Sequence, residues 1–230
     1  MEKINLPVYG DISVFNKKPP QSKVAHVVTS TMINEIYISK INKIIKWYKN
    51  KWNMPWDVIV LNDGLNVDTI QDLVQNTDCT VIAFEEHLGR AKRTMSLSDY
   101  PYEWRNLNYI KILLQNYDKV IFMANDVYIL NSEMVYYLDT KNEGWIGFWF
   151  PAGNHPESAI QIINKGCLEY NDFVNNHENF MAISPHTMYE WYVPFTCIEK
   201  KFKGIRYDSG PLNVENLDFI VQAQLQHEFL

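Results

Sequence analysis

Glycine and cysteine are scarce in this sequence, and positive charge is not in excess. The nine glycines among 230 residues form no G-x-G-x-x-G and no G-x-x-x-x-G-K-[ST], which excludes a dinucleotide fingerprint and a P-loop. A G-x-S-x-G elbow is missing too, which removes an α/β-hydrolase. The three cysteines, Cys79, Cys167 and Cys197, stand far apart without a C-x-x-C pair. An odd, scattered set supports neither a disulfide framework nor a cysteine-built zinc site, so a reducing, cytoplasmic setting is expected.

Lys and Arg number 21 against 27 Asp and Glu, a net charge of −6. A duplex-binding protein needs a basic face, and this balance gives a nucleic-acid partner no support. No stretch approaches the roughly eighteen consecutive apolar residues of a membrane-spanning helix. The opening Met1–Asn5 lacks the apolar stretch and small-residue cleavage site of a signal peptide. A soluble protein is expected. With 47% hydrophobic and 14% aromatic residues, the chain has the material for one sizeable core.

Residues 1–23 hold Pro7, Pro19, Pro20 and several lysines without a sustained period. They read as an irregular lead-in, with Val8 to Phe15 as a candidate edge strand. Val24 to Thr29 is a β-branched run. Ile33, Tyr37, Ile41, Ile44, Ile45 and Tyr48 then recur at helical spacing, with Lys40, Lys43, Lys46 and Lys49 largely on the other side. That spacing predicts an amphipathic helix over 31–51. Asp57 to Leu61 is a second strand, and strand–helix–strand implies parallel pairing by a right-handed crossover. The pattern continues with a helix over Val67–Gln75, a strand over Thr80–Phe84, a helix over Glu103–Gln115 and a strand over Lys119–Met123. Later elements are less regular: a strand at Gly144–Phe150, another at Phe180–Ser184, a helix over Pro185–Tyr192 and a closing helix over Leu217–Phe229. The class is α/β, with a mostly parallel central sheet.

In an open parallel sheet, ligands lie beyond the carboxyl ends of the strands. Those ends are Thr29-Ser30, Asn62-Asp63-Gly64, Glu85 to Arg93 and Ala124-Asn125-Asp126. Asp63 could accept hydrogen bonds from a base or ribose, although Asn-Asp-Gly is also an ordinary turn. Arg90, Lys92 and Arg93 are cations suited to a diphosphate, or the wet side of a loop. Asp126 offers oxygen ligation to a divalent metal. His26, inside the first strand, reads as a hydrogen-bonded core residue. Trp145 and Trp149 read as core or as the floor of an acceptor cleft.

Five segments in order resemble the GT-A fold glycosyltransferases, family-2-like inverting enzymes in particular. Val58 to Gly64 is similar to their I-V-V-D-D-G segment, and Glu86 to Ala91 to E-N-x-G-x-A. Tyr117 to Asp126 resembles Y-D-Y-V-L-F-L-D-x-D, Asn179 to Ser184 resembles G-x-F-M-x-x-R, and Glu215 to Phe219 resembles E-D-x-D-L. The resemblance implies a Rossmann-related nucleotide-diphospho-sugar transferase fold over 24–230. Within it, 24–126 would be the nucleotide-sugar-binding half and 127–230 a less regular acceptor-binding half.

It further implies transfer of a hexosyl or pentosyl group from a nucleotide-sugar donor to a glycan or other hydroxyl acceptor, with inversion and assistance from Mn²⁺ or Mg²⁺. Thr29, Ser30, Asp63, Arg90, Arg93, Asn125 and Asp126 would bind donor, Asp126 and His227 the metal. Asp218 or Glu215 would be the general base. Two departures stand out: Ala124 replaces the first Asp of D-x-D, and Asn216 replaces the Asp of the E-D pair. Ala124 keeps a rival in play, a catalytically degenerate nucleotide- or glycan-binding relative, and a nucleotidyltransferase, which shares the need for metal and diphosphate, is a third reading.

Overall fold

The computed structural model describes residues 1–6, 10–30, 35–87, 109–110, 112–123, 127–129, 132–142, 145–150, 155–165, 205–208 and 221–225. The strands are β1 (Glu2–Leu6), β2 (Gly10–Phe15), β3 (Val24–Ser30), β4 (Asp57–Asp63), β5 (Thr80–Phe84), β6 (Lys119–Met123), β7 (Val127–Ile129), β8 (Trp145–Phe150), β9 (His155–Asn164), β10 (Ile205–Asp208) and β11 (Val221–Leu225). The helices are α1 (Glu35–Trp52), α2 (Val67–Thr77) and α3 (Ser132–Thr140). Residues 109–110 and 112–113 are helical as well.

The contiguous apolar runs sit in the middle of the sheet, as strands covered on both faces must. β5, β4, β3 and β6 lie side by side in that order, all parallel. Two crossovers, through α1 and α2, advance the chain from β3 to β4 to β5. The chain then returns past β3 and lays β6 on its other side. The order therefore reverses between β3 and β6, the position at which an α/β sheet opens a crevice.

Alternate residues feed two cores. Ile59 and Leu61 of β4 join Ala25, Val27, Val120, Tyr109, Ile110 and Leu113 on one face. Val58 and Val60 join Ile41 and Ile45 of α1 and Ile70 and Leu73 of α2 on the other. The period-2 pattern of β4 and the 3.6 pattern of α1 meet here, giving helix–sheet–helix layers. Lys43, Lys46 and Lys51 of α1 are exposed, the wet side that the spacing predicted.

Outside the parallel four the sheet is mixed. β1 and β2 form an antiparallel hairpin whose second strand pairs antiparallel with β5. β9 runs antiparallel to β6 and β8, while β10 pairs parallel with β8 and antiparallel with β11. β7 pairs parallel with β11. Two expectations are corrected. The lead-in is not irregular over 2–6 and 10–15: the candidate edge strand in Val8 to Phe15 is β2 over Gly10–Phe15, paired on both sides, and β1 takes the edge beyond it. The closing helix is replaced over Val221–Leu225 by β11, which sits between β10 and β7. Val-Gln-Ala-Gln-Leu alternates at period 2, and pairing on both sides outweighs the helix propensity of Ala, Gln and Leu. The strand and helix expected over 180–192 lie outside the described residues.

Two buried polar groups, Lys119 and His26, lie toward the amino-terminal edge of the sheet. Lys119 is 2% exposed. Its Nζ donates to the carbonyls of Leu138 (2.8 Å), Asp139 (2.6 Å) and Lys141 (3.1 Å) and to Asn142 Oδ1 (3.2 Å). A cation on the last carbonyls of α3 satisfies acceptors that a helix end leaves open and favours its dipole. Burial pushes the ammonium pKa below its ordinary value, and Asp139 opposes that shift. Trp56 Nε1 donates to Asp139 Oδ1 at 2.8 Å, tying the start of β4 to the same helix end. His26 is 1% exposed and meets Tyr48 and Trp56 edge-on, with ring centroids 4.9 and 6.1 Å away. It is a core residue as expected, but its Nε2 finds no hydrogen-bond partner among the described residues.

Two stability predictions follow from these groups. Lys119→Met leaves the α3 carbonyls unpaired and should cost about 2–4 kcal/mol in urea unfolding; a change near zero would show that the latch contributes nothing. Burial pushes the His26 pKa down to about 3, whereas the unfolded chain titrates near ~6.5. The unfolded state thus binds a proton that the folded state refuses, and stability falls as pH drops from about 6.5 toward 3. The slope reaches about 1.4 kcal/mol per pH unit. His26→Phe should flatten the loss in urea midpoint between pH 7 and pH 5, and an unaltered loss would contradict the assignment.

Candidate functional site

Parallel pairing sets the ends of the central strands level with one another. Thr29 lies opposite Leu61, and Ser30 opposite Asn62. Asp63 lies opposite Phe84, and Val28 opposite Met123. Of the site residues expected from sequence, Thr29, Ser30 and Asp63 therefore share the carboxyl edge, with Thr29 half-buried. Arg90, Lys92, Arg93, Asn125, Asp126, Glu215, Asp218 and His227 lie outside the described residues. Asp126 follows the end of β6 by three positions in the chain, one residue before β7 begins.

The Asn62-Asp63-Gly64 corner is built as a turn and carries buried polar side chains at that edge. Gly64 adopts φ 112°, a left-handed conformation that side chains disfavour. Its N–H donates to Phe84 O at 3.0 Å, and Asn62 Nδ2 donates to Gly64 O at 2.9 Å. Two residues on, Asn66 caps α2 by accepting from Thr69 N at 3.2 Å. These bonds hold Asp63 in place.

Asp63 has no exposed surface. His87 stands against it, with Nδ1 3.0 Å from the Asp63 carbonyl oxygen and 3.1 Å from Oδ2. The His87 side chain is 45% exposed. Sequence reasoning passed over two groups here, His87 and Asn62. Asn62 is 1% exposed, and its Oδ1 finds no donor among the described residues, an orphan acceptor at the end of β4. The signal for His87 was present: it occupies the Asn place of the E-N-x-G-x-A pattern.

Two other reactive groups are committed to the scaffold, Glu85 beside this edge and Cys79 at the start of β5 on the opposite one. Glu85 accepts from Ser13 Oγ at 2.8 Å and pairs with Lys3 at 2.9 Å. The Lys3 hydrogen bond, then that of Ser13, holds its carboxyl below the ordinary range, so it fastens the N-terminal hairpin to β5. Cys79 is buried, and desolvation pushes its thiol up to about 11. A protonated, enclosed thiol is no nucleophile. Among the described residues, no three of His, Cys, Asp and Glu gather as a metal would require, and no helix is long and apolar enough to cross a membrane.

No protein-family model and no curated protein matches this sequence. Solved structures do. Core-mannan synthase A (CmsA/Ktr4) from Aspergillus fumigatus, in its Mn/GDP form, is similar over 91% of this chain and 81% of its own, with a TM-score of 0.51 and 10% identity. An active-site mutant of LgtC is similar over 75% of this chain and 70% of its own, with a TM-score of 0.54 and 12% identity. The galactosyltransferase LgtC in complex with donor and acceptor sugar analogs has a TM-score of 0.52 and 11% identity, over 72% of this chain and 66% of its own. At such identities the likeness is one of fold. The mixed sheet, its parallel core and its flanking helices are those of the α/β GT-A nucleotide-diphospho-sugar transferase fold.

Proposed function

We propose that this protein is a glycosyltransferase, inverting and family-2-like, that moves a sugar from a nucleoside-diphosphate sugar to a hydroxyl of a glycan or other acceptor. One observation carries the reading. Three parallel strands of a GT-A fold, β3, β4 and β5, bring Thr29, Ser30, Asp63 and His87 to one edge, and the switch between β3 and β6 adjoins it. The similar structures are described with Mn and GDP in one case and with donor and acceptor sugar analogs in another, which supports a nucleotide sugar as ligand.

On this reading the donor's base and ribose lie along the ends of β4 and β5. Arg90, Lys92 and Arg93 offset the charge of the diphosphate as it leaves, and Asn125 contacts the donor. Asp126 and His227 are the proposed ligands of a divalent cation, Mn²⁺ or Mg²⁺, which when bound stabilises the developing negative charge. The acceptor oxygen attacks the anomeric carbon from the side opposite the diphosphate, and the bond from that carbon to the diphosphate oxygen breaks. Asp218 or Glu215 takes the acceptor's proton. Holding both substrates in line and keeping water away is the remaining task of the enclosing chain.

The test is release of nucleoside diphosphate from a panel of nucleotide sugars with Mn²⁺ or Mg²⁺. Slow donor hydrolysis that disappears in Asp126→Ala is the expected result. Asp218→Asn or Glu215→Gln, whichever removes the base, should lower transfer by ~10²–10⁴ while donor affinity stays near wild type; if neither slows transfer, the base assignment is wrong. Ala124, in place of an expected Asp, favours a second reading in which the chain binds nucleotide or glycan without turnover. Tight binding with no diphosphate release would establish that one. Pyrophosphate release from a nucleoside triphosphate and a sugar phosphate would indicate a nucleotidyltransferase instead.

A further inference from the structure

We infer that the outer flank of α1 docks this protein on an anionic lipid surface, with Lys43, Lys46 and Lys51 meeting the headgroups and Trp47 and Trp52 settling between them. The inference makes no use of the donor site and stands apart from it.

Charge is the first observation. α1 carries five lysines, no arginine and a single acid, Glu35, in a chain of net charge −6. The balance inverts on its neighbour, where Asp68 and Asp72 of α2 and Asp78 behind it are exposed. Positive charge is therefore gathered on one helix. Lys49 shows which side of α1 faces α2, because its Nζ donates to Thr77 O at the end of that helix. Lys43, Trp47 and Lys51 recur at four-residue spacing on a different stripe. Lys43, Lys46 and Lys51 are exposed.

Aromatic placement is the second. Trp47 and Trp52 are half-buried, and Lys51 Nζ lies 4.3 Å from the ring centroid of Trp47 and 5.2 Å from that of Trp52. Two indoles gathered at one ammonium form a cluster that keeps part of its surface toward solvent. Tryptophan among lysines is the composition that suits a membrane–water boundary: indoles sit at headgroup depth, and each lysine adds attraction to an anionic leaflet. A nucleic acid is the rival polyanion. Ammonium groups are point charges that suit a diffuse charged plane, and α1 has none of the arginine forks that grip single phosphates. Among the described residues no helix can cross a bilayer, so the contact is peripheral. α1 lies along the face of the sheet between the end of β3 and the start of β4, and docking on its flank leaves the carboxyl edge uncovered.

Co-sedimentation of the whole protein with vesicles tests the inference, using phosphatidylcholine alone and phosphatidylcholine with about one-third phosphatidylserine. The protein should bind the mixed vesicles, ignore the neutral ones and come off at about 1 M salt. Lys46→Gln with Lys51→Gln should weaken binding at least about tenfold. Lys17→Gln with Lys18→Gln removes the same charge elsewhere, where Glu2 and Asp78 partner those lysines, and should weaken it less than about twofold. Brominated lipid in the mixed vesicles should quench part of the tryptophan fluorescence. Trp47→Phe with Trp52→Phe should abolish that quenching while thermal unfolding stays at the wild-type temperature. No binding to mixed vesicles, equal binding to both kinds, or equal loss in the two lysine pairs overturns the inference. So does binding of a single-stranded oligonucleotide without binding of vesicles. Quenching that persists without the two indoles overturns their part in the contact.

Discussion

Parallel backbone pairing among β5, β4, β3 and β6 is the constraint on which the rest of the molecule depends. Parallel strands need crossovers, and crossovers place helices over both faces of the sheet. The helices bury Val58 and Val60 on one side and Ile59 and Leu61 on the other. The same pairing levels the strand ends, so polar residues closing successive strands arrive at one edge whatever their distance in sequence. Ser30 and Asn62 are neighbours there, as are Asp63 and Phe84. The two edges of the sheet have different roles. Lys119, Trp56 and Asp139 lock the amino-terminal side to α3. The carboxyl side carries a buried carboxylate, a half-exposed imidazole and an amide oxygen with no donor among the described residues.

What could be read in the sequence follows from how local each signal is. β5 and β6 are runs of β-branched and aromatic residues, and the strands expected over 80–84 and 119–123 coincide with those observed. α1 was legible because Ile41, Ile44, Ile45 and Tyr48 mark one face, and all four are buried. Non-local pairing was not legible. β1 is an edge strand whose alternation is diluted by Glu2, Lys3 and Asn5, and its place depends on β2 reaching β5 much later in the chain. β11 has a helix-prone composition and is a strand because β7 and β10 flank it.

The candidate site divides the same way. Asp63 was conspicuous as the polar stop of an apolar run. Its partner His87 was marked only by its place in the E-N-x-G-x-A pattern, and its contact with Asp63 shows only when β4 and β5 lie side by side. Asn62 read as turn chemistry, and it does close the turn through Nδ2; the burial of its Oδ1 shows only in three dimensions. Buried polar groups of this kind cost stability unless something satisfies them. One of them, Asn62 Oδ1, stands at the carboxyl edge beside the Asp63–His87 pair, and the donor is placed there because an α/β sheet opens its crevice at the carboxyl ends of its strands.

Hydrogen exchange of backbone amides, followed by mass spectrometry with and without saturating UDP or GDP and Mn²⁺, tests that placement most directly. Exchange should slow in peptides covering residues 28–30, 61–66 and 84–87 and stay unchanged at 54–57 and 138–142 on the opposite edge. Slowing confined to that opposite edge, or equal exchange everywhere at saturation, would contradict a donor site at the carboxyl ends of the parallel strands.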